Sequence, residues 1–151
     1  MSTEDILNFR KVNDAVITGG QPTKAELESV RKDGFQVVIN LATSNPEGGL
    51  QEEAELVQGS GMEYFHIPVD WEHPRKSDFD AFESAMRSIR DKKVLIHCAA
   101  NFRVTTFYAL YALRNLGWSE AQADEFRLSV WSGSNYPVWE TFYDQIKALN
   151  T

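Results

Sequence analysis

Val94-Leu95-Ile96-His97-Cys98-Ala99-Ala100-Asn101-Phe102-Arg103 is the stretch on which the fold turns, and an apolar run over 104–116 follows it directly. The aliphatic residues ahead of His97 read as a buried strand, and the run after Arg103 is long enough for a helix. Between them lies a short loop holding the only cysteine of the chain. A strand that turns tightly into a helix aims successive backbone N–H groups at one spot, and the positive end of the helix dipole adds to their pull on an anion. The loop is therefore expected to be an oxyanion cradle. Cys98 at its mouth would be a thiolate stabilised by the same donors and by Arg103.

Around this loop the chain alternates strand and helix patterns. That is the mark of an α/β domain with a mostly parallel sheet of four or five strands flanked by helices, here one domain over 1–151. Upstream, 16–18 is a short strand ended by Gly19-Gly20, and Thr23 with Glu26 forms a capping box for a helix that Gly34 stops. Residues 36–41, rich in β-branched side chains, read as a buried strand, and the Pro- and Gly-bearing segment 43–49 as a loop. A helix over 50–58 and a strand over 64–67 follow. Ser77 is the expected cap of a helix that turns Phe79, Phe82, Met86 and Ile89 inward, and 93–97 is the strand entering the cysteine loop. Downstream, the helix over 104–116 is apolar on most sides and belongs in the centre of the domain. Ser119 and Gln122 make a second capping box. The last helix opens near Pro137 and turns Trp139, Phe142, Ile146 and Leu149 inward, with Trp131, Tyr136 and Trp139 expected as core.

Composition narrows the function classes. The net charge is −7, from 15 basic and 22 acidic side chains, and no basic block is present, which argues against nucleic acid as a partner. A single cysteine allows no intrachain disulfide, and no stretch approaches the ~20 apolar residues of a membrane span. The acidic start, Met1-Ser2-Thr3-Glu4-Asp5, has none of the layout of a signal peptide, so the cytoplasm is the expected compartment.

A thiol and a guanidinium set across a phosphate-sized loop suit hydrolysis of phosphate monoesters, which needs an in-line nucleophile, donors for three equatorial oxygens and a proton for the leaving oxygen. Cys98 supplies the first. The amides of Ala99, Ala100, Asn101 and Phe102 and the fork of Arg103 supply the second, a task for which arginine is better shaped than lysine. Asn101 sits mid-loop, and asparagine enters the left-handed region more readily than most residues, so it can stand where glycine would. For the proton, Asp70 comes first: it follows a strand expected beside the cysteine strand and so should emerge at the same edge of the sheet. Glu72, His73 and Asp78 are the alternatives. His97 either fills the core or orients the loop and the thiolate. Phe102 and Trp71 are candidates for an aromatic wall, and 43–49 for a bordering loop. His66, His73 and Cys98 do not have the spacing of a metal site, and the chemistry calls for no metal or other cofactor.

Strand-His-Cys-loop-Arg-helix, preceded by a loop aspartate after Ile67-Pro68-Val69, resembles the cysteine-dependent protein tyrosine and dual-specificity phosphatase superfamily. More narrowly, Gly19-Gly20-Gln21-Pro22-Thr23 and Gly34-Phe35-Gln36-Val37-Val38-Ile39-Asn40-Leu41 resemble a bacterial group related to the phosphatase-like domain of β-lactamase-hydrolase-like proteins. The resemblance runs from about Asn8 to Leu116. It implies Cys98 as the nucleophile that forms a phosphocysteine, Arg103 as phosphate clamp, Asp70 as general acid and base, and a phosphorylated small molecule or phosphoprotein as substrate. The spacing between Cys98 and Arg103 is one residue shorter than in the larger superfamily, as it is in the bacterial group. Val104 stands where a hydroxyl residue usually follows the arginine, and Thr105, the nearest hydroxyl, points about 100° further round the helix, so weak or absent activity is expected. Two other readings fit the same loop: a sulfurtransferase of the rhodanese kind, and a catalytically weak module that binds phosphorylated ligands.

Overall fold

Three fully buried strands carry the fold, and the computed structural model describes them among residues 2–46, 48–131 and 136–149. β1 (Arg10–Asn13), β2 (Val16–Gly19), β3 (Val37–Asn40), β4 (Glu63–His66) and β5 (Val94–His97) form one sheet in the order β1-β2-β5-β3-β4. The middle strands β2, β5 and β3 are parallel and buried at every position, as expected where helices cover both faces. The edge strands are partly exposed; β1 runs antiparallel to β2, and β4 parallel to β3. In the middle of the sheet Gly19 and Asn40 both pair with His97, so β2 and β3 end level with β5 and leave Cys98 at a central position of the carboxyl edge.

Alternation along β5 assigns its side chains to two cores. Val94, Ile96 and Cys98 face a large cluster built with α3 (Lys76–Ser88), α4 (Phe102–Asn115), α5 (Glu120–Leu128) and α6 (Pro137–Ala148). Leu95 faces a smaller one with Leu27 and Val30 of α1 (Lys24–Lys32), Val57 of α2 (Leu50–Gly59) and Ile6 of the N-terminal arm. Helix α4 is buried from Arg103 through Ala112, which is the central place its apolar composition requires. Both expected capping boxes form, with Glu26 N–H on Thr23 Oγ1 at 3.1 Å and Gln122 N–H on Ser119 Oγ at 3.1 Å.

Three expectations need correction, and one strand has no counterpart among them. The strand before Asp70 is not beside the cysteine strand: β4 pairs only with β3, at the far edge. The strand without a counterpart is β1, which carries no alternating apolar pattern and is a strand through its pairing with β2 rather than through its own composition. Ser77 lies inside α3, whose N-cap is Arg75; there the Asp78 carboxylate accepts the Arg75 N–H at 3.2 Å. Leu149 is 53% exposed, because α6 ends at Ala148 and leaves it beyond the last buried turn.

Candidate active site

The loop from Cys98 to Arg103 is held from behind by two segments, the N-terminal arm at Asn8 and the stretch 18–21. Gln21 N–H donates to the Ala99 carbonyl at 2.9 Å, and Asn8 Nδ2 donates to the Ala100 carbonyl at 2.9 Å. Gly20 lies so close that a Cβ on it would sit 2.6 Å from the Ala99 oxygen, which gives the Gly19-Gly20-Gln21 motif its steric reason. Asn101 has φ 71° and ψ 6°, the left-handed conformation expected of a glycine substitute. That conformation costs a non-glycine residue roughly 1 kcal/mol. Two bonds from Asn101 Nδ2, to the Asn8 carbonyl at 2.9 Å and Thr18 Oγ1 at 3.0 Å, offset it. A left-handed residue directly before a helix is one way a backbone forms a concavity suited to an anion, and the first amides of a helix have no intrahelical acceptor.

Cys98 is 1% exposed and Arg103 is 7% exposed, yet both line one cavity of about 300 Å³ with Trp71, Ala99, Ala100, Phe102 and Tyr136. Arg103 donates through Nη1 to the Val69 carbonyl at 2.9 Å, and its guanidinium carbon lies 6.0 Å from the Trp71 ring centre. This fixes one edge of the fork and leaves its other N–H groups for a ligand. The walls are aromatic. Trp71 packs on Phe102, Trp131, Tyr136 and Trp139, Phe102 stacks on Trp131 at 4.8 Å, and Trp139 Nε1 donates to the Trp71 carbonyl at 2.7 Å. Trp131 and Trp139 are buried, whereas Tyr136 is 39% exposed and belongs to the rim of the cavity rather than to the core.

Beneath the loop lies a buried polar network centred on Glu53 of α2. Its Oε1 accepts from Gln21 Nε2 at 2.9 Å and Asn45 Nδ2 at 2.7 Å, and its Oε2 from His97 Nε2 at 2.7 Å and Tyr64 Oη at 3.1 Å. Burial pushes the Glu53 carboxyl up, but the donors His97, Gln21 and Tyr64 together outweigh it and hold the group below its ordinary value. Burial and the adjacent carboxylate raise the Tyr64 phenol, so it remains a hydrogen-bond donor. His97 is fully buried, and its Nδ1 faces the Cys98 carbonyl at 3.3 Å, which ties the network to the cysteine.

The four proton-donor candidates lie on or just after the loop that follows β4. Asp70 is exposed and bonded to its own loop: its Oδ1 accepts the Glu72 N–H at 2.9 Å and lies 3.7 Å from His73 Nδ1. The Glu72 amide, with the neighbouring His73, holds the Asp70 carboxyl below the usual carboxylate range. Glu72 and His73 are exposed, and Asp78 is half-buried, with burial pushing its carboxyl up. None of the four lines the cavity of Cys98 and Arg103. Thr105 Oγ1 donates to the Phe102 carbonyl at 3.1 Å. The loop over 43–49 reaches the site through Asn45 on Glu53 rather than at the cavity. His66 Nε2 bonds the Ala42 carbonyl at 2.7 Å, away from any metal role with His73 and Cys98. Among the described residues no group of three or more His, Cys, Asp or Glu is placed to hold a metal ion, and no helix is long and apolar enough to cross a membrane.

Sequence reasoning missed Asn8, Glu53, Tyr64 and the rim position of Tyr136. For Glu53 a signal exists: it stands three residues after Leu50 and four before Val57, on the apolar stripe of α2.

A five-stranded sheet with this loop at the end of a central strand and an arginine opening the next helix is the architecture of the protein tyrosine and dual-specificity phosphatases. The chain belongs to the family of DSP-PTPase phosphatases fused to NAD+ kinase, whose model matches residues 1–127. It is 29% identical over 103 residues, 66% of this chain, to the β-lactamase hydrolase-like protein of Agrobacterium fabrum, and spans 24% of that relative's length. The crystal structure of the DUF442 protein of Shewanella putrefaciens CN-32 superposes with a TM-score of 0.86 at 29% identity, covering 95% of this chain and 91% of that one. TpbA of P. aeruginosa in complex with phosphotyrosine superposes with a TM-score of 0.73 at 12% identity, covering 95% and 90% of the two chains, a likeness of fold alone.

Proposed function

We propose that the chain is a cysteine-dependent phosphatase that hydrolyses phosphate monoesters through a phosphocysteine intermediate. The observation that carries this reading is that Cys98 and the buried guanidinium of Arg103 line one aromatic-walled cavity over the start of α4. Phosphate would enter with its equatorial oxygens on the loop amides and the free edge of the Arg103 fork. The Cys98 thiolate attacks phosphorus, the sulfur–phosphorus bond forms, and the ester oxygen leaves with a proton from Asp70. A water then attacks phosphorus and gives its proton to the Asp70 carboxylate, and the sulfur–phosphorus bond breaks to return thiolate and inorganic phosphate.

The reading requires the 70–73 loop to carry Asp70 from its turn to the cavity mouth, and to do so with a carboxyl that is protonated when it arrives. Val104 adds no hydroxyl beside the sulfur, and the Thr105 hydroxyl is bonded to the helix backbone, so slow breakdown of the phosphoenzyme is part of the proposal. The walls formed by Trp71, Phe102 and Tyr136 suit a flat leaving group, including the ring of phosphotyrosine.

The deciding experiment is turnover of para-nitrophenyl phosphate and of a phosphotyrosine peptide by the parent and by Cys98→Ser. Loss of turnover in the variant with phosphate binding retained is the expected result. Equal turnover in both proteins would overturn the assignment, and sulfur transfer from thiosulfate to cyanide with no phosphatase activity would replace it with a sulfurtransferase.

A further inference from the structure

Two asparagines in the left-handed conformation face each other across the back of the cysteine loop. Asn8, with φ 53°, belongs to the N-terminal arm; Asn101, with φ 71°, belongs to the loop. Their hydrogen bonds are reciprocal: Asn8 Nδ2 donates to the Ala100 carbonyl at 2.9 Å, and Asn101 Nδ2 donates to the Asn8 carbonyl at 2.9 Å. The arm is itself well seated. Ile6 is 2% exposed, the Leu7 carbonyl accepts the Gly20 N–H at 2.7 Å, and Thr3 Oγ1 donates to Asp33 at 2.6 Å. On the loop side, Asn101 Oδ1 is buried without a partner among the described residues, so this amide is not placed to satisfy all its own polar atoms.

From this geometry we propose that Asn8 is a positioning residue for phosphate binding, acting through the Ala100–Asn101 peptide. The inference rests on the phosphatase reading above. A peptide unit points its C=O and N–H in opposite directions, so a carbonyl held outward obliges the amide of the next residue to face the other way. Gln21 already restrains the Ala99 carbonyl; Asn8 restrains that of Ala100, which would otherwise be free to turn its negative end toward the anion. The positive φ of Asn8 brings its amide into reach, and the bond from Asn101 back to the Asn8 carbonyl fixes that turn in place. Asn8 touches neither sulfur nor phosphate. Its effect is on which polar groups of the loop the phosphate meets.

The test compares the full chain with Asn8→Gly and Asn8→Asp. Glycine keeps the positive φ without strain and removes only the donor. Aspartate keeps size and turn preference but sets a carboxylate oxygen against the Ala100 carbonyl. Inorganic phosphate is titrated calorimetrically into each protein in the Cys98→Ser background, where turnover plays no part, and thermal unfolding is recorded alongside. The expected result is phosphate affinity weakened about tenfold in Asn8→Gly and more in Asn8→Asp, with the midpoint of unfolding of Asn8→Gly close to that of the parent. In the Cys98 background kcat/KM should fall by a similar factor. Parent-like phosphate affinity in Asn8→Gly overturns the inference and leaves the phosphatase reading standing, as does a loss of affinity that only follows a loss of folded protein. A parent that does not bind phosphate overturns both. Should Asn8→Asp fail to fold, Asn8→Gly alone decides.

Discussion

Two loops meet at this site, and they are built in opposite ways. The 98–103 loop is held by Gln21, Asn8 and Gly20 from behind, with its cysteine and arginine buried and a four-donor carboxylate beneath His97. In the 70–73 loop only Trp71 is anchored, on the aromatic wall, whereas Asp70, Glu72 and His73 are exposed and the aspartate bonds only within the loop that carries it. On the phosphatase reading proposed above, the anion-binding half is held in place by the surrounding chain before any ligand arrives, whereas the proton-donating half would still have to be assembled. That division follows the chemistry. Amides and a guanidinium gain most from fixed geometry in a dry pocket, while a proton donor must reach the leaving group only after it is seated.

The sharpest way to break the rigid half is Arg103→Lys. A lysine cannot present a planar fork, so kcat/KM should fall by about a thousandfold in steady-state kinetics, and a loss under tenfold would mean that Arg103 is not the clamp. Second comes Glu53→Gln, which leaves His97, Tyr64, Gln21 and Asn45 facing an amide. Urea unfolding should show a loss of about 3 kcal/mol. The sign of the pH effect follows from the direction of the shift. Glu53 is held below its ordinary value of 4.5, so its contribution is complete above that value and is lost as pH falls through the lower folded value. The stability of the parent should therefore drop on acidification more steeply than that of the variant.

The 70–73 loop gives the smallest and most selective effect. Asp70→Asn should cost about a hundredfold in kcat/KM for an alkyl phosphate, whose leaving oxygen needs a proton, and only a few-fold for para-nitrophenyl phosphate. Because Asp70 is held below 3.8 in the open loop, the parent's rate on the alkyl ester should decline as pH rises through the weakly acidic range, and the variant should lose that limb. If Asp78→Asn reproduces this pattern and Asp70→Asn does not, the proton comes from the half-buried carboxyl instead.

Much of the rigid half is legible in the sequence because its determinants are local. The strand, the loop, the left-handed Asn101 and the helix lie within one continuous stretch, and both capping boxes are four-residue signals. What is illegible is what depends on strand order. The β4 strand follows β3 in sequence and pairs with it, and β5 then returns to lie between β2 and β3, so nothing local tells which edge of the sheet carries Asp70. Glu53 and Asn8 find their partners across separations of 44 and 92 residues, so no motif names those partners, although the place of Glu53 on the apolar stripe of α2 hints that it is buried. An asparagine before a strand reads as solvated surface until the fold brings its partners to it.

The floor and the rim of the cavity come from different parts of the chain. The floor is the end of β5 and the start of α4, inside the matched stretch 1–127, whereas Tyr136 on the rim and Trp131 and Trp139 behind it lie past that stretch. Substitutions after 127 can therefore reshape the cavity's entrance while leaving the 98–103 loop untouched. Relatives sharing this floor are free to diverge in the molecules they admit.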